Sequence, residues 1–137
     1  MKPSHIEHIG IAVSNLENSI SFYEKVFDLK CYRIEEVKDQ KVRTAFFLIG
    51  QTKIELLESI DPEGPIGKFI EKRGEGIHHI AFAVENIVDH LRHAEKEGVR
   101  LIDTDPRKGA EGFDIAFLHP KSASGVLIEL CEASGNK

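Results

Sequence analysis

The chain has 137 residues, of which 41% are hydrophobic and 30% are charged, a composition typical of one soluble globular domain. Its formal net charge is −5, and acidic and basic residues alternate along it, which argues against nucleic acid as a partner. The sequence has no apolar run near the roughly 20 residues of a membrane-spanning helix, so we expect no membrane partner. The amino-terminal segment lacks a signal-peptide core, which favours a cytoplasmic protein. Two cysteines cannot build a disulfide framework, so we expect reduced thiols at Cys31 and Cys131.

The first half of the chain predicts one helix and four strands. An apolar, β-branched strand covers residues 6–13. Ser14 and Glu17 then have the spacing of a capping box, which predicts the start of a helix. Apolar residues at helical spacing continue that helix, and three extended segments follow at about 30–37, 42–49 and 52–58.

The second half predicts the same order of elements. A strand at 77–84 precedes a helix that begins near Asn86 and stops at Gly98, and three strands follow at about 99–102, 113–118 and 126–132. Between the halves, residues 59–75 form a linker with a short helix near 66–73.

The two halves are an internal repeat. The segment 6–20 aligns with 77–91 at one constant offset, so that His8 corresponds to His79, and the strand ends around Glu55 and Glu129 also match. We therefore predict an α+β fold in one domain, 1–137, made of two paired βαβββ modules at about 5–58 and 76–132. Since neither half is large enough to enclose its own core, we expect the modules to form an eight-stranded open sheet with a cleft.

Four polar residues interrupt the apolar pattern at equivalent places in the two halves. By strand alternation, each histidine shares a face with very small residues, as a cavity wall would. Each glutamate lies in mid-strand between apolar residues, where an unpaired carboxylate is costly to bury. Imidazole and carboxylate donors suit a divalent transition metal with open positions for a substrate. We predict a metal site made of His8, Glu55, His79 and Glu129.

Three segments, 6–13, 74–82 and 119–130, resemble the methylmalonyl-CoA epimerase family of the vicinal oxygen chelate superfamily, which also contains glyoxalase I. The resemblance implies interconversion of (2R)- and (2S)-methylmalonyl-CoA through α-proton transfer and a metal-stabilised enolate. It also implies a homodimer and one cobalt-like divalent ion per chain, with Zn2+, Ni2+ or Mn2+ also possible. The metal ligands of the family map onto His8, Glu55, His79 and Glu129, and Glu129 is also the expected catalytic acid/base.

The sequence departs from the family pattern at two positions. Some epimerases have a catalytic glutamate where this chain has Thr44, and some relatives have glutamine at the position of Glu55. The second acid/base therefore stays open between Thr44, acting through a water, and residues of the 105–114 loop. Arg107, Lys108 and Lys121 are candidates for contacts to the phosphates of an acyl-CoA, although a solvated loop explains them equally well.

Two further functions use the same fold. A glyoxalase I-type lyase acts on a glutathione hemithioacetal and uses the same ligand pattern. A metal-free module that binds small molecules generally lacks the four ligands, and here all four are present.

Overall fold

The computed structural model describes residues 2–133, which form two compact units. One unit comprises His8–His78, and the other joins the residues up to Glu7 to those from His79 onwards. None of the helices among the described residues has the length and apolar character needed to span a membrane.

The unit His8–His78 contains a four-stranded mixed sheet. Along the chain its elements are β1 (His5–Val13), α1 (Leu16–Phe27), β2 (Arg33–Val37), β3 (Val42–Ile49), β4 (Thr52–Ser59) and α2 (Pro65–Arg73). The strand order is β2-β3-β4-β1, with β1 parallel to β4 and the other pairs antiparallel. The βαβ connection through α1 accounts for the parallel pair, because parallel neighbours need a crossover.

The other unit repeats this pattern. Its elements are β5 (Gly76–Ala83), α3 (Ile87–Lys96), β6 (Arg107–Lys108), β7 (Asp114–Leu118) and β8 (Ile128–Glu132). The strand order is β5-β8-β7-β6, and β5 is parallel to β8. The predicted α+β class with paired βαβββ modules is confirmed, because the described residues form eight strands of a mixed sheet and three α-helices.

The helices α1 and α3 each cover one face of the sheet in their own unit. Leu16 of α1 is completely buried with Leu56 and Phe47, and Leu91 of α3 is completely buried with Ala116 and Leu130. Burying one such leucine contributes about 1.5–3 kcal/mol. The bulky faces of β1 and β5 therefore pack on the helices, as strand alternation predicted, and the opposite faces carry the histidines.

The start of α1 differs from the prediction. Asn15, not Ser14, is the N-cap, and its side chain accepts a hydrogen bond from the Asn18 N–H at 2.9 Å. The Ser14 N–H donates to the carboxylate of Glu75 at 2.7 Å. The capping box was wrong by one residue because a distant carboxylate already satisfies Ser14.

The ends of β4 and β8 each supply a carboxylate to the start of a helix. Glu58 accepts a hydrogen bond from the Leu16 N–H at 2.9 Å, and Glu132 accepts from the Ile87 N–H at 2.9 Å. We call Glu58 and Glu132 the capping carboxylates. Asn86 precedes α3, as predicted, but it has a left-handed conformation and its side chain makes no capping bond. Negative charge at a helix N-terminus is stabilising because it opposes the helix dipole.

The second strand of the second half is also displaced from its predicted position. Residues 99–102 form only an isolated bridge between Leu101 and Leu118, while β6 at Arg107–Lys108 pairs with β7 instead. The Ile102 and Asp103 N–H groups both donate to the Phe117 carbonyl, so a regular ladder cannot continue there. Cys31 and Cys131 are thiols, as predicted.

Candidate metal centre and active site

Two of the four predicted ligands lie in the unit His8–His78. His8 in β1 and Glu55 in β4 are only 4% and 5% exposed, and His8 Nδ1 lies 3.2 Å from Glu55 Oε2. Glu55 is opposite Gly10 in the parallel ladder, two residues beyond the histidine. Because Gly10 has no side chain, the imidazole and the carboxylate can approach each other above it.

The remaining two predicted ligands lie in the other unit. His79 in β5 and Glu129 in β8 are 5% and 4% exposed, and His79 Nε2 lies 2.9 Å from Glu129 Oε1. Glu129 is opposite Ala81, which is again two residues beyond the histidine. Each module therefore contains a buried imidazole–carboxylate pair. In both, the glutamate lies opposite a small residue that follows the histidine by two positions in the parallel ladder.

Two residues around Glu129 were not predicted from the sequence. The Cys131 thiol donates to Glu129 Oε2 at 3.2 Å. Phe117 of β7 is opposite Glu129 in the antiparallel ladder, and its ring meets the His79 ring edge to face with centroids 5.7 Å apart. Strand alternation puts Cys131 on the face of Glu129, and that signal was available in the sequence.

Thr44, one candidate for the second acid/base, is 1% exposed in β3. It alternates with Phe46, whose partner in β4 is Glu55, so Thr44 and Glu55 share one face of the sheet. The eight residues of β3 include no carboxylate, and the only acid on this face of the β3–β4 ladder is Glu55.

The three candidate phosphate contacts have different surroundings. Lys108 Nζ lies 2.8 Å from Asp114 Oδ1, so an acid of the protein already neutralises it. Lys121 is exposed in a short turn, where its N–H donates to His119 Nδ1 at 3.0 Å. Desolvation, with Arg100 and Lys121 nearby, lowers the pKa of His119 below its ordinary value. Arg107 is partly buried, and its Nε donates to Asp103 at 3.1 Å.

Comparison with known proteins identifies the superfamily. Residues 7–117 match the Glyoxalase/Bleomycin resistance protein/Dioxygenase superfamily. The chain is 43% identical to the uncharacterized protein YqjC of Bacillus subtilis (strain 168), over 98% of this chain and 96% of that protein.

More specific relatives identify the family. The chain is 39% identical to the mitochondrial methylmalonyl-CoA epimerase of Dictyostelium discoideum, over 93% of this chain and 77% of that protein. It belongs to the methylmalonyl-CoA epimerase family. The family resemblance seen in the sequence is confirmed, and the chain is thus an isomerase of the epimerase class. A Streptomyces coelicolor methylmalonyl-CoA epimerase variant in complex with 2-nitronate-propionyl-CoA shares the fold of this epimerase. Its TM-score is 0.94 and its identity 34%, with 98% of this chain and 97% of that chain covered.

Proposed function

We propose that this epimerase interconverts (2R)- and (2S)-methylmalonyl-CoA by removing and returning the α-proton. The observation that carries the proposal is the pair of buried His–Glu couples at repeat-equivalent positions, in a chain that belongs to this family. The acyl-CoA analogue bound by the Streptomyces relative supports an acyl-CoA substrate.

The donor chemistry of the four residues fits a divalent cation. Burying a carboxylate is costly unless it is paired, and here each is matched with one imidazole, which is neutral when it ligates a metal. We propose that His8, Glu55, His79 and Glu129 hold one ion, with Co2+ preferred and Zn2+, Ni2+ or Mn2+ compatible with the same donors. When bound, such a cation supplies Lewis-acid charge that favours the enolate.

Glu129 is the residue we propose to move the proton. The α-carbon lies between a thioester and a carboxylate, so its C–H bond is acidic because the enolate delocalises charge. Glu129 takes that proton, and the electron pair moves towards the thioester oxygen. Return of a proton on the opposite side inverts the centre. The imidazole of His79 orients Glu129, and burial keeps bulk water from it. Positioned acid–base groups contribute about 10²–10⁴-fold to such rates.

The experiment that tests this function follows deuterium entering the α-carbon of methylmalonyl-CoA in heavy water. We expect exchange with the wild type and at least a roughly 10²-fold slower rate with Glu129→Gln, which keeps the shape and removes the base. Glu97→Gln, on an exposed residue after α3, is the matched control and should exchange at the wild-type rate. Exchange by Glu129→Gln near the wild-type rate would falsify the assignment of the base.

A second candidate function is a glyoxalase I-type lyase acting on a glutathione hemithioacetal. Two features of the chain favour this function: β3 has Thr44 and no acid, and the proposed ligand set includes Glu55 where some relatives have glutamine. Turnover of methylglyoxal with glutathione, without α-proton exchange in methylmalonyl-CoA, would establish this function instead. A purified protein that takes up no transition metal would support the metal-free binding module.

We also propose that the enzyme is a homodimer, as its family resemblance implies, and that it works in the cytoplasm. Light scattering coupled to size-exclusion chromatography tests the dimer, for which twice the chain mass of 15.4 kDa is expected.

A further inference from the structure

A guanidinium lies on the same sheet face as the His79–Glu129 pair. Arg107 of β6 pairs with Ile115 of β7, and antiparallel partners point to the same side of a sheet. Ile115 in turn alternates with Phe117, the partner of Glu129. The strand pairing therefore places Arg107 on the same sheet face as Glu129, a position that no sequence motif predicted.

Arg107 is held in one orientation by two contacts. Its Nε donates to Asp103 Oδ1 at 3.1 Å, while Asp103 Oδ2 accepts a hydrogen bond from the Phe117 N–H at 2.8 Å. Its Cζ lies 5.6 Å from the centroid of the Phe117 ring. A guanidinium stacked on an aromatic ring and anchored at Nε is pre-organised, so it loses less entropy when it binds a ligand.

The anchoring leaves the other end of the guanidinium available. Across residues 2–133, the guanidinium of Arg107 has one hydrogen-bonded acceptor, Asp103 at Nε, so both Nη groups are left for a ligand. About a third of the side chain is exposed, at 38%. Neighbouring Lys108 differs because its single ammonium group is already paired with Asp114, whereas the ion pair of Arg107 with Asp103 uses only Nε. The open pair of Nη groups matches the geometry of a carboxylate, which arginine binds through two parallel hydrogen bonds.

We infer that Arg107 binds the free carboxylate of the methylmalonyl group, and so selects substrates that carry an acid beside the thioester. The inference rests on the proposed function. The Phe117 ring contacts both the guanidinium and the imidazole of His79, so Arg107 adjoins the pair in which Glu129 would take the α-proton. The phosphates of an acyl-CoA lie at the other end of that molecule. Arg107 therefore suits the carboxylate better than the phosphates, for which the sequence made it a candidate.

Three ligands distinguish binding of the substrate carboxylate by Arg107 from binding of the CoA phosphates. Methylmalonyl-CoA carries the carboxylate and the phosphates, whereas propionyl-CoA and CoA carry only the phosphates. We expect Arg107→Met to weaken methylmalonyl-CoA binding about 10–100-fold, the scale of one or two charged hydrogen bonds, and to change propionyl-CoA and CoA binding less than about twofold. Isothermal titration calorimetry gives the three dissociation constants. Arg107→Lys keeps the charge but lacks the two parallel N–H groups of the guanidinium, so it should bind methylmalonyl-CoA more tightly than Arg107→Met and less tightly than the wild type.

Arg73→Met is the matched control, because Arg73 also stacks on a phenylalanine, with its Cζ 5.6 Å from the Phe69 ring. It should bind all three ligands as the wild type does. Equal weakening of all three by Arg107→Met would assign Arg107 to the phosphates and overturn the inference. No weakening of methylmalonyl-CoA, or a wild type that binds propionyl-CoA equally tightly, would overturn it too. A wild type that binds methylmalonyl-CoA selectively but exchanges no α-proton would refute the proposed function alone.

Discussion

Glu129 Oε1 lies 2.9 Å from His79 Nε2. The two residues belong to neighbouring parallel strands, in which Glu129 is paired with Ala81, two residues after the histidine. Glu55 likewise contacts His8 and is paired with Gly10, two residues after that histidine. In each pair, the residue opposite the glutamate is small, so little or no side chain lies between the imidazole and the carboxylate.

The first prediction concerns metal affinity. If both pairs ligate one ion, His8→Ala and His79→Ala should each weaken Co2+ binding by about 10-fold or more, because each removes one donor. Competition with a chromophoric chelator measures this affinity. His93→Ala, on an exposed residue of α3, should bind the ion as the wild type does. A His8 variant with unchanged affinity beside a weakened His79 variant would argue against one shared ion.

The second prediction concerns the capping carboxylates. Glu132→Ala should lower the free energy of unfolding by about 0.5–2 kcal/mol, the range for loss of a helix cap, because the Asn86 and Ile87 N–H groups lose their acceptor. Urea denaturation measures the loss. Glu85→Ala removes an exposed carboxylate from the same connection and should have little effect. Equal losses in both variants would indicate a general effect of charge.

The third prediction concerns the close approach of the 107–112 segment to β7. A Cβ atom added at Gly109 would lie 2.7 Å from Cδ1 of Ile115, which is 2% exposed and cannot move aside easily. Gly109→Ala should therefore destabilise the protein by about 1–3 kcal/mol, as overpacking does. Adding Ile115→Val removes the Cδ1 atom and should cost less than the two single changes together. Strictly additive costs would contradict this steric account.

The fourth prediction concerns pH. A hydrogen bond from Arg43 holds the pKa of Glu17 below its ordinary value of 4.5, and Arg43 Nη2 also lies 2.9 Å from Glu58. A lowered carboxyl pKa stabilises the fold above the unfolded value and loses that effect as the pH falls through the folded value. Arg43→Met should therefore be less stable than the wild type at about pH 7, with the difference shrinking below about pH 4.5. A difference that stays constant down to about pH 3 would exclude this ion pair as its source.

The sequence predicted the repeated architecture because its signals are local. Strand alternation separated His8 and Gly10 from the bulky residues that pack on α1, and the repeat supplied the corresponding arrangement at His79. Strand alternation did not predict which histidine meets which glutamate, because that depends on the register of the parallel strands.

The features that were missed depend on contacts between residues distant in sequence. Glu58 and Glu132 reach helices that begin more than 40 residues earlier, so no capping pattern near Ser14 or Asn86 could reveal them. Arg107 lies on the sheet face of Glu129 because β6 comprises residues 107–108, whereas the sequence predicted this strand at 99–102.

The capping carboxylates also couple the two ends of each module. Glu132 belongs to the last strand of its module, yet it completes the first turn of that module's helix. Detachment of the last strand would therefore also fray the start of the helix. Each module should then open as one cooperative unit, in which the amide hydrogens of the helix and of the last strand exchange with solvent at the same rate.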